Sequence, residues 1–129
     1  MNLNNITINN RYVLLINSLN ELINIITILD KKNIYWNTIH SHIFKPETYI
    51  EYAKNLKIID GRNLFFPIFI QLKFIKKEDS WTYNYYYKME EMDYYTAFPL
   101  NQISLNTNSI IRKYKLKNLK LMNDHSQSW

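Results

Sequence analysis

A chain of 129 residues with a single glycine, no cysteine and a formal charge of +5 excludes several kinds of protein at once. Walker and dinucleotide-binding loops need two or three glycines for close backbone approach to phosphate, so neither is present. Without thiols there is neither a disulfide framework nor a thiolate zinc site. The length is one domain's worth, and 47% apolar residues are enough to fill a core.

Asn, Ile, Lys and Tyr make up 61 of the 129 residues, against one Gly and two Ala. Their codons are rich in A and T, so this bias reads as a low-GC genome, such as that of a phage or bacterium, rather than as low complexity. The charge is uneven. Residues 1–60 balance to +1, residues 61–109 to 0, and residues 110–129 to +4. An acidic partner is therefore a matter for the last twenty residues.

In chain order, residues 1–10 are Asn-rich and form a short strand around Ile6 and Ile8 or a loose arm. A helix follows. Ser18 and Glu21 have capping-box spacing before the stripe Leu19, Leu22, Ile23, Ile26 and Leu29, but the stripe also extends back through Ile16, Leu15 and Tyr12. The unbroken period favours one helix from about Asn10, ended by Asp30-Lys31-Lys32-Asn33. Polar residues within it exclude a membrane span, and Tyr12–Ile16 is too short an apolar run for a signal peptide. The expectation is a soluble cytoplasmic protein. Pro46 and Glu47 open a second helix with Tyr49, Ile50, Ala53 and Leu56 on one side, and Asp60-Gly61 closes it.

Leu64 to Met89 is the organising stretch, a long β-hairpin. Leu64, Phe66, Ile68, Ile70, Leu72 and Phe74 share one face of its first strand; Trp81, Tyr83, Tyr85, Tyr87 and Met89 share one face of the second. A four-residue loop at Lys77–Ser80 pairs Phe74 with Tyr83, Leu72 with Tyr85 and Ile70 with Tyr87. Phe66, Ile70 and Phe74 should be nearly fully buried. Pro67 cannot donate to a ladder, which predicts an edge or a bulge near the strand's start. Tyr94 to Leu105 reads as a third strand broken at Pro99, and Asn106–Ser109 as a loop. Ile110–Leu121 fits a helix capped by Ser109 or a fourth strand; alternation of Arg112, Tyr114 and Leu116 with Lys113, Lys115 and Lys117 favours strand. The fold class is thus α+β: two N-terminal helices on one face of an antiparallel, largely meander sheet of about four strands. One domain spans residues 1–122, followed by a polar tail at 123–129.

Few residues suggest chemistry. His40 and His42 would share a face on a strand, with Glu47 or Glu51 near, but no third ligand stands at a metal-site spacing. Glu90, Glu91 and Asp93 resemble paired carboxylates, yet an exposed strand end explains them equally. Neither metal nor cofactor is expected. Aromatics are the unusual feature. Tyr83, Tyr85 and Tyr87 continue the core face, whereas alternation frees Tyr86, and Tyr94 and Tyr95 cannot both point inward. These three are the candidate partner-binding residues, because exposed tyrosines supply contact area at low entropic cost.

The leading expectation is a non-catalytic protein that binds another protein, of the inhibitor, immunity or anti-defence type. The alternative is binding of RNA or DNA through Arg112, Lys113, Lys115, Lys117 and Lys120, as a winged-helix-like domain with Pro46 opening the recognition helix or as a ribonucleoprotein subunit. Lysines along an edge strand would also serve only to block edge pairing. No membrane partner is expected.

Overall fold

Serine at position 18 decides the first third of the chain. In the computed structural model, which describes residues 3–36, 46–58, 62–88, 91 and 101–127, Ser18 is extended and caps a helix, and the residues before it form a strand. The elements are a 3-10 turn at Leu3–Asn5, β1 (Asn10–Ile16), α1 (Leu19–Lys31), β2 (Tyr35–Trp36), α2 (Pro46–Lys54), β3 (Ile68–Ile75), β4 (Ser80–Tyr86), β5 (Asn101–Leu105) and α3 (Thr107–Gln127). The class is α+β. Two details differ from expectation: among the described residues one of three helices is C-terminal, and the five-stranded sheet is mixed rather than an antiparallel meander.

The cap is a physical stop. The Glu21 amide donates to Ser18 Oγ at 3.2 Å, and the Asn17 amide donates to Glu21 Oε2 at 2.8 Å. This is a capping box whose return arm falls one residue early. With Ser18 at φ −151°, ψ 162°, a helix cannot continue back through it. The expected helix from Asn10 is therefore replaced by β1, whose Arg11, Tyr12, Val13, Leu14 and Ile16 are all buried. A strand buried on both faces shows little alternation, which is why its apolar run mimicked a helical stripe.

The other end of α1 closes as a Schellman motif. Asn33 sits at φ 59°, its amide donating to Asp30 O, and the Ile34 amide reaches back to Leu29 O, both at 2.9 Å. Leu29 and Ile34 are both buried in the core beside it.

The strand order is β2-β4-β3-β1-β5. β3 lies antiparallel to β1 and β4, while β2 runs parallel to β4 and β5 parallel to β1. The hairpin is thus the middle of the sheet, each strand carrying a further neighbour. That placement does not suit a free two-stranded wing. Its register is Ile70 with Tyr85, Leu72 with Tyr83 and Phe74 with Trp81, around a loop at Lys76–Asp79. The loop has the expected four residues, but the pairing lies two residues from the expected one. A shift of two leaves every face unchanged, so alternation cannot detect it. Asp79 takes the left-handed position that ends the loop, at φ 51°, a conformation Asp tolerates. Pro67 immediately precedes β3, following a cis peptide bond after Phe66.

One face of the sheet meets the helices. Tyr12, Leu14, Ile16, Ile68, Ile70, Leu72 and Tyr83 pack with Leu22, Ile25, Ile26, Ile28 and Leu29 of α1 in a single cluster. α1 also packs against α2 and α3. Ile70 is fully buried as expected, but Phe66 and Phe74 are only partly so. Phe66 stands two residues before β3 and Phe74 one residue from its end, both at the margin of the core. No helix among the described residues is long and apolar enough to cross a membrane.

Candidate functional site: two faces of the C-terminal helix

The basic segment expected as a strand is a helix. Asn106 caps α3: the Ser109 amide donates to its Oδ1 at 3.0 Å and the Ile110 amide to its carbonyl at 3.1 Å. The cap is one turn earlier than Ser109, and residues 106–109 are a helix start rather than a loop. Leu105 and Ile110, both in the core, occupy the positions of a hydrophobic staple. Thr107 then ties the helix to the sheet, its Oγ1 donating to Leu15 O at 2.9 Å. Ile110, Ile111 and Tyr114 pack into the core at helical spacing. The stretch 112–117 has a strand-like alternation, but the burial at 110, 111 and 114 and the cap outweigh it. The helix runs on through residues 123–127.

A helix distributes lysines differently from a strand. Lys113, Tyr114 and Lys117 turn toward the end of α1, whereas Arg112, Lys115, Leu116 and Leu119 turn away. The expected single row of Lys113, Lys115 and Lys117 does not exist, and edge-strand protection falls with it. Lys120 lies on the same helix.

The first face closes a cleft of about 280 Å³. Leu3, Ile28 and Ile110 line its apolar side, and four lysines, Lys31, Lys32, Lys113 and Lys117, line it with Asn4 and Tyr114. Lys31 Nζ lies 5.1 Å from the centre of the Tyr114 ring, and Lys32 Nζ donates to Asn4 Oδ1 at 2.6 Å. The second face is an open groove of about 420 Å³ lined by Asn108, Ile111, Arg112, Lys115, Leu116 and Leu119. Leu116 is 59% exposed and Leu119 55%.

The tyrosine candidates fare differently. Tyr86 does point away from the helices, as alternation requires, but it is only 7% exposed, packed with Val13 and Phe69. This far face is not bare: Arg11, Gln71 and Thr82 are buried on it too. The expected exposure of Tyr86 is therefore corrected: on β4 its ring is covered by Phe69, its partner on β3, and by Val13 of β1. Tyr94 and Tyr95 lie outside the described residues. Beside Tyr86 a cavity of about 440 Å³ holds Arg62, Lys73, Asn84 and Glu91. Burial, with the nearby Arg11 charge adding, pushes the Lys73 ammonium pKa below its ordinary value.

Tyr83 and Tyr85 belong to the core, as expected. Trp36 meets Tyr49 edge-on at 6.2 Å and Tyr85 at 5.9 Å, and Tyr83 meets Tyr85 at 5.7 Å. Burial raises the pKa of both phenols, Tyr83 and Tyr85. Tyr87 stacks on Phe65 at 4.5 Å and donates to the Asn63 carbonyl. His40 and His42 lie outside the described residues, as do Glu90 and Asp93; Glu91 accepts the Tyr87 amide at 3.2 Å. Among the described residues no three His, Cys, Asp or Glu side chains group as a metal site would need.

No protein-family model matches the chain, and no curated protein or solved structure is significantly similar to it. The candidate surfaces are therefore weighed on their side chains alone. Sequence reasoning found the basic segment but missed Lys31, Lys32, Leu116 and Leu119. Scoring 107–121 at a helical period would have put Lys113 and Lys117 on one face and Leu116 with Leu119 on another.

Proposed function

We propose that the protein is a non-catalytic binding protein that docks, through the outward face of α3, onto an acidic surface of another protein. The observation that carries this is the exposure of Leu116 and Leu119 in a groove rimmed by Arg112 and Lys115. Large apolar side chains left in water are available to a partner, and taking them out of water favours association. The cations beside them choose an acidic partner and speed its approach. Such an element suits an inhibitor or immunity-type protein, whose action is occupancy of a surface rather than chemistry. Tyr86 is too buried for first contact.

The test is site-specific photo-crosslinking in the native host, with the photoreactive residue in place of Leu119 and, as a control, in place of Leu56, which is 51% exposed at the end of α2. The expected outcome is an acidic protein captured from position 119 alone and lost when Arg112 and Lys115 are reversed to Glu. Capture of RNA or DNA instead would favour the nucleic-acid alternative. Equal capture from both positions would overturn the assignment to α3.

A further inference from the structure

Lys113 and Lys117 stand one turn apart, and like charges at that spacing destabilise a helix. They also converge on the cleft that Lys31 and Lys32 line, and none of the described residues lining it is acidic. For Lys31 and Lys32 the fold itself offers a reason, since cations at the end of α1 complement the negative pole of its peptide dipoles. The middle of α3 offers Lys113 and Lys117 no such compensation. Two of the ammoniums meet neutral groups, Lys32 the side-chain amide of Asn4 and Lys31 the ring of Tyr114, and both keep their charge toward the cleft. Leu3, Ile28 and Ile110 are all buried, so the apolar wall of the cleft is anchored in the core.

From this convergence we propose that the cleft between α1 and α3 binds a ligand carrying consecutive phosphoryl groups. The charge argument decides the class. A single carboxylate would neutralise one of four ammoniums, whereas a di- or triphosphate presents several negative oxygens along one chain. Lysine binds phosphate as a point charge with three donors, and all four cations among the described lining residues are lysines. At about 280 Å³ the volume lies just below the usual range of ligand pockets, which begins at about 300 Å³. It therefore suits the phosphoryl groups and leaves the rest of a larger ligand outside. Those groups come either from a free nucleotide or polyphosphate or from the backbone of a nucleic acid. This site is on the opposite side of α3 from the proposed docking face and does not rest on it.

The experiment is calorimetric titration of the whole protein at low salt with inorganic tripolyphosphate, with ATP, and with a single-stranded oligonucleotide. The expected result is one-to-one binding of tripolyphosphate that weakens by about tenfold or more when Lys113 and Lys117 are reversed to Glu, as loss of two close charge contacts implies. The reversal of Arg112 and Lys115, which removes the same charge from the other face, is compared at about 0.15 M salt, where a Debye length of about 8 Å screens that face and should leave the affinity within about twofold. The milder pair Lys113→Gln and Lys117→Gln, checked for an unchanged melt, gives the same reading if the reversals disturb folding. Tight binding of ATP and tripolyphosphate with a silent oligonucleotide identifies a free ligand. An oligonucleotide that binds and is displaced by tripolyphosphate identifies a nucleic-acid backbone. Absence of tripolyphosphate binding at low salt, or equal weakening by the two reversals, overturns the site.

Discussion

Leu14 and Leu116 are the same side chain in opposite circumstances. Leu14, on a central strand of the sheet, is wholly buried between its neighbours and α1, while Leu116 on α3 is 59% exposed. The sheet's inner face uses its apolar residues to fold; the outward face of α3 holds its apolar residues in water beside Arg112 and Lys115. Hydrophobicity in this chain therefore has two destinations. Side chains that stabilise the fold and side chains free to bind are distinguished by position, not by type, so mutations should separate them cleanly.

The largest effect should come from the buried side. Leu72 has no exposed surface and sits on β3 between β1 and β4. Leu72→Ala should cost about 2–5 kcal/mol, the transfer term plus the cavity left in a region that cannot collapse. Chemical denaturation would show it. A loss below about 1 kcal/mol would break the comparison, since the inner face would then not be the core.

The two destinations were unequally legible in the sequence. The hairpin's faces were readable because alternation of Ile68, Ile70 and Leu72 against Phe69, Gln71 and Lys73 survives in the structure. Its register was not, because a slip of two residues preserves every face, and the left-handed turn at Asp79 that settles it leaves little trace in composition. β1 was hidden by burial on both sides. Pairing of Asn10–Leu14 with Asn101–Leu105 in parallel joins residues about ninety apart, which no local pattern announces. At α3 the decisive signal was the Asn106 cap with Ile110, Ile111 and Tyr114 behind it, outvoted by alternation over six residues. The basic charge of the site was plain from the sequence. Its division into two faces was not, because that division exists only once the segment is a helix.

A smaller effect on the buried side follows from the aromatic cluster. Tyr83 and Tyr85 keep their protons in the fold because burial disfavours the phenolate, while the unfolded chain releases them near the ordinary value of about 10. The folded pKa is raised, so the stability linked to these groups is fully present below about pH 10 and is lost as the pH rises from there toward the raised values. An alkaline titration followed by tyrosinate absorbance and circular dichroism should show part of the phenolate signal appearing only as the fold is lost. Complete tyrosine ionisation with the fold intact would mean these rings reach solvent and the inner face is not sealed at Trp36.

On the exposed side, the smallest effect is the most informative. Leu116→Ala and Leu119→Ala remove surface that is already more than half in water, so little transfer energy is lost. Alanine is also the better helix former by a few tenths of a kcal/mol, which offsets part of what remains. Each change should therefore shift stability by no more than about 0.5 kcal/mol, the range of ordinary surface substitutions. Melts of the single and double variants measure this directly, with Leu72→Ala as the contrast in the same buffer. Near-neutral melts leave both leucines free for the proposed partner, so any loss of binding in these variants reports the interface and not the fold. A cost above about 1.5 kcal/mol for either one would mean that the groove is filled from within the chain. The outward face of α3 would then belong to the core, and the docking surface would have to be sought elsewhere on the molecule.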